Sequence, residues 1–170
     1  MVFTDGTARN LKELIGYEEV TYTHRLDENP EIAILQLTQP GGEIYEEFTK
    51  HLAPGIIRHP IYDITFPLGF AYENSFDHGK PPVLTEVLKG KRGAILRITD
   101  QGPGFDYAAA IEEFKRYREA RAMDNYYGDP DAARAHYAHN KGAGFDVLAD
   151  SQLLCAYEGR GNILNLGLHR

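Results

Sequence analysis

Arg97-Ile98-Thr99-Asp100-Gln101-Gly102-Pro103-Gly104-Phe105 joins the end of an apolar run to a carboxylate and two closely spaced glycines. The run Ala94 to Thr99 alternates enough to predict a strand, and that strand delivers a carboxylate, Asp100, to its end. The chain then turns on two glycines spaced one apart, which permit a tight turn and close backbone approach to a ligand. A solvated Asp in a hairpin-like turn is the plain alternative. Gly102-Pro103-Gly104 also resembles the start of a dinucleotide fingerprint. There the third glycine position is Tyr107, whose ring obstructs close helix–strand packing, and no βαβ unit surrounds it. That reading is rejected.

Upstream, Val83 to Leu88 and the turn Gly90-Lys91-Arg92-Gly93 complete a predicted hairpin that ends at Asp100. Before Pro81-Pro82 the pattern predicts a helical region from near Pro60 to His78-Gly79, with Pro67 inside it to kink or restart the helix. That region ends in Phe70-Ala71-Tyr72-Glu73-Asn74-Ser75-Phe76-Asp77-His78-Gly79. Asn is a mediocre helix former, so Asn74 needs either a surface position or a polar task. Giving its amide oxygen to Mg²⁺ is one such task.

Further upstream, Glu43 to Leu52 predicts an amphipathic helix with Ile44, Phe48 and Leu52 on one face. Glu19 to His24, the turn Asp27-Glu28-Asn29-Pro30 and Ile32 to Leu37 read as a strand hairpin, after a short helical pattern at Leu11, Leu14 and Ile15. Downstream, Tyr107 to Met123 is helical, Asn125 to Pro130 a loop and Asp131 to His139 a short helix. Lys141-Gly142-Ala143-Gly144-Phe145 opens a turn of helix through Leu148, where bare N–H groups and the helix dipole suit an anion. Leu153 to Tyr157 and Asn162 to Leu168 form a last hairpin around Gly159-Arg160-Gly161. The expected fold is an α+β two-layer sandwich, one domain over 1–170. Its sheet is expected to be mixed, mostly antiparallel, with helices on one face.

Composition narrows the function classes. The 170 residues are 42% hydrophobic and 25% charged, the balance of a folded globular chain. A net charge of −7 argues against nucleic acid and anionic membrane as partners, whereas a nucleotide can be held by local N–H groups and a metal. The single cysteine, Cys155, excludes an internal disulfide and Cys-rich zinc sites. No apolar run approaches the ~20 residues of a membrane span, and the start lacks the features of a secretory signal, so the expected location is cytoplasmic. His136 and His139, three apart without a Glu-x-x-His partner, and Asp124, Asp129 and Asp131, without EF-hand spacing, make poor metal sites.

Taken together, three motifs carry a resemblance: Asn74 to Gly79 on a helix end, Asp100-x-Gly102-x-Gly104, and Gly142-x-Gly144. Their order resembles the GHKL (Bergerat-fold) superfamily of histidine-kinase catalytic domains, gyrase-type ATPases and anti-sigma serine kinases, and the helix motif is similar to the anti-sigma form. The resemblance implies ATP and Mg²⁺ as ligands. Asp100 would accept from the adenine amino group and Asn74 would hold Mg²⁺. The Gly142 and Gly144 backbone, with Lys141 beside it, would meet the phosphates, and 106–140 would form a lid. It further implies a regulatory protein partner of the sigma-factor or antagonist kind, and allows a homodimer.

One departure concerns catalysis. Active members carry a Glu one helical turn before the Asn as general base, and this chain has Phe70 there, which takes no proton. Glu73 is the nearest substitute but lies about 100° around the helix from Asn74, and Asp77 lies on its far side. The implied function is an ATP/Mg-binding regulatory domain with weak or absent catalysis. An active serine/threonine kinase or slow ATPase with a relocated base, and a binding module that has lost nucleotide, are the alternatives.

Overall fold

The computed structural model describes residues 8–27, 36–127, 148 and 151–169. Its elements are α1 (Ala8–Ile15), β1 (Tyr17–Leu26), α2 (Glu43–Thr49), a wide π-helical turn (Ile61–Thr65) running into α3 (Phe66–Asp77), β2 (Val83–Gly90), β3 (Gly93–Thr99), α4 (Tyr107–Tyr127), β4 (Leu154–Glu158) and β5 (Ile163–His169). The strands form one five-stranded sheet in the order β1-β2-β3-β5-β4. Every pairing is antiparallel, so the sheet is not mixed among the described residues. The fold is α+β.

Strand β3 lies between β2 and β5, and both of its faces are covered. On one face Ala94, Leu96 and Ile98 join Val83, Val87, Leu164 and Leu166 against Ile44 and Phe48 of α2 and Leu68, Ala71 and Tyr72 of α3. On the other face Ile95 meets Leu88, Ala156, and Leu11 and Ile15 of α1. Helices therefore flank the sheet on both faces, which corrects the expectation of one. The pattern of α1 was legible, but its side was not: Arg97, Asn165 and Gly167 make that face of β3 and β5 read as polar or open, and only Leu88, Ile95 and Ala156 mark the patch that α1 covers.

Pro67 restarts the helix as expected. Its missing N–H falls at the first turn of α3, just after the π-helical widening. Asp63, buried there, accepts the backbone N–H groups of Arg58 (3.0 Å) and His59 (2.8 Å) and so fixes the entry to the helix. Buried Tyr72 hydrogen-bonds Thr85, tying α3 to β2.

Two other expectations change. Of the predicted strand Ile32 to Leu37, the first residues lie outside those described, while 36–38 are helical. There Leu37 packs on the main core and buried Thr38 accepts Thr65 Oγ1 through its carbonyl (3.0 Å). The described ladder of β1 runs instead to β2, from Tyr17 opposite Gly90 to Leu26 opposite Val83. A short apolar run cannot be assigned to strand or helix by periodicity alone. Helix α4 also continues through Asn125 to Tyr127, four residues beyond the predicted end.

Candidate functional site

Asp100 follows the last ladder residue of β3 and is nearly buried, at 9% exposure. Its N–H donates to the Asn162 carbonyl (3.1 Å) and its own carbonyl accepts from Asn162 Nδ2 (3.1 Å). The carboxylate accepts the Gly102 N–H at Oδ1 (2.6 Å). Burial pushes its pKa above the ordinary Asp value, opposed by the backbone N–H groups of Gly102 and Lys80 and by its own. A carboxylate has about four lone-pair sites, so capacity remains to accept a ligand N–H.

The helix motif meets this turn directly. A Cβ added at Gly79 would lie 2.5 Å from Asp100 Oδ1 and 2.3 Å from the Ser75 carbonyl, and one added at Gly102 would lie 2.6 Å from the Gly79 Cα. The Gln101 N–H also donates to the Lys80 carbonyl (2.8 Å). The end of α3 and the Asp100 turn are therefore locked, and only glycine at 79 and 102 allows it.

Asn74 is exposed on α3, and its carbonyl accepts the His78 N–H (3.0 Å). At about 1.5 Å of rise per residue, the five residues to Gly79 separate them by roughly 8 Å along the axis. Glu73 and Asp77 are exposed and Phe70 is half-buried. An exposed amide oxygen of this kind can serve a hard cation.

Gly104 is the second glycine of the turn. It sits at φ +75°, and its backbone approaches protein: an added Cβ would lie 2.0 Å from the Arg160 carbonyl. The Phe105 N–H donates to that carbonyl (2.7 Å), while Phe105 and Tyr107 pack on the Tyr157 ring. The turn between β4 and β5 thus grips the whole Asp100 to Phe105 segment. In the sequence Gly159-Arg160-Gly161 reads as a hairpin turn and Asn162 as the start of the strand after it; the signal for more was an Asn directly following a two-glycine turn.

Lys141, Gly142 and Gly144 lie outside the described residues, as do His136 and His139. Of the predicted lid, 107–127 form α4, capped by Asp106, whose Oδ1 accepts the Ala109 N–H (3.0 Å). Tyr107 and Ile111 pack on the main core, anchoring the start of that segment. Cys155 is buried, which pushes its thiol up to about 12. Among the described residues no three His, Cys, Asp or Glu side chains converge as a metal cluster, and no helix is long and apolar enough to cross a membrane.

Comparison with known proteins returned no match, whether to a family model, a curated protein or a solved structure.

Proposed function

We propose that this chain is an ATP- and Mg²⁺-binding regulatory domain of the Bergerat type, with weak or absent phosphoryl transfer. The observation that carries the reading is the contact of Gly79 with the Asp100 carboxylate. It joins the end of the helix bearing Asn74 to the only described Asp-x-Gly-x-Gly turn, two motifs that are separate in sequence.

The donor set fits the ligand. Asp100 is a buried acceptor with capacity left for an amino N–H, and its enclosure strengthens any hydrogen bond made to it. Asn74 offers a neutral oxygen, suited to Mg²⁺ that already shares phosphate oxygens and waters. Bound Mg²⁺ would neutralise phosphate charge beside an acidic protein. The half-buried Phe70, one turn before Asn74, supplies no base, so the expected output is a nucleotide-dependent shape or affinity for a regulatory protein.

The test measures ATP affinity with and without Mg²⁺ in the wild type and in Asn74→Ala. The wild type should need Mg²⁺ for full affinity and the variant should not respond to it. Steady phosphate transfer that disappears in Glu73→Gln would replace this reading with that of an active kinase or ATPase. Equal Mg²⁺ dependence in both proteins would remove Asn74 from the site.

A further inference from the structure

We propose that Asn162 is a positioning residue that aims Asp100, and through it makes the site select a purine with an exocyclic amino group over one with an oxo group there. The inference rests on the nucleotide reading above, in which Asp100 accepts from the adenine amino group, and adds the residue that holds that acceptor in place.

The β3–β5 ladder ends at Thr99 opposite Ile163, so Asp100 and Asn162 face each other one step beyond it. There both backbone polar groups of Asp100 go to one residue. Its N–H meets the Asn162 carbonyl and its carbonyl meets the Asn162 side-chain amide, each at 3.1 Å. The other end of that amide, Oδ1, accepts the Arg160 N–H (3.4 Å), so the side chain is held within its own turn. Gly104 and Phe105 are fastened to the same turn at Arg160 and Gly161. The direction of the Asp100 carboxylate is therefore set from the β4–β5 turn as well as by the Gly79 contact. An ionised carboxylate only accepts: it attracts an amino N–H and repels an oxo oxygen. A site built around such a group discriminates strongly against the analogue that cannot donate to it.

The test compares Mg-ATP with Mg-inosine triphosphate, which carries oxo where ATP carries amino, on the full chain. The wild type should prefer ATP by about 10- to 100-fold, the range of one hydrogen bond to a charged group. Asn162→Asp keeps the shape but sets an acceptor against the Asp100 carbonyl. It should reduce the preference to about threefold or less at the expense of ATP alone, and should add nothing in an Asp100→Ala background. Asn162→Ser, a second variant with a short donor, should retain part of the preference. Variants that keep the full preference, or that weaken both nucleotides equally as a merely structural role would, overturn the inference while leaving ATP binding in place. A wild type that binds neither nucleotide overturns the nucleotide reading, and this inference with it.

Discussion

Asp100 carries opposing demands at the level of a single residue. Burial raises its pKa, so the folded chain holds the proton more tightly than the unfolded chain does. The sign follows: its contribution to stability is most favourable below the ordinary Asp value of about 3.9 and declines as pH rises through the raised folded value. Asp100→Asn removes the charge and keeps an acceptor oxygen. Denaturant melts above that window should therefore show it at least as stable as the wild type, while its affinity for Mg-ATP falls. A variant that loses stability at neutral pH would mean that the ionised carboxylate holds the fold together. Gly79→Ala should differ in its effect on stability. Its Cβ collides with a carbonyl and with the Asp100 carboxylate, so it should cost about 1–3 kcal/mol in the same melts and weaken nucleotide binding too.

Among the elements, the pieces that place the site were the most legible in sequence. The hairpin of β2 and β3 was readable because two runs rich in Val, Leu and Ile, Val83 to Leu88 and Ala94 to Ile98, flank one glycine-bounded turn; the helix ending shortly before Gly79 was readable from Pro60, Pro67 and its apolar spacing. Contacts between elements were not. That Gly104 meets Arg160 and that Asn162 clasps Asp100 are facts about residues some sixty apart, which no local pattern encodes. The side of the sheet taken by α1 was hidden for the same reason. Leu11 is fully buried, and its nearest methyl lies 2.9 Å from where a Cβ on Gly167 would sit. Leu11→Ala should therefore cost about 2–5 kcal/mol in a denaturant melt, as a core truncation does. A change within about 0.5 kcal/mol would deny that α1 covers a second core.

At the scale of the whole molecule, a chain of net charge −7 that takes an anionic ligand must hold it through local groups and Mg²⁺ rather than through the overall field. Ligand that binds only the folded chain raises its stability by mass action. At a hundredfold excess over Kd the gain is about 2.7 kcal/mol, and a domain of this length should melt roughly 5–10 °C higher with Mg-ATP. The most direct measurement is a calorimetric titration of the full chain with Mg-ATP, repeated on Asp100→Ala. On the nucleotide reading the wild type should give a saturable heat and the variant an affinity about 10- to 100-fold weaker. No heat from the wild type, or the same affinity for both proteins, would contradict it.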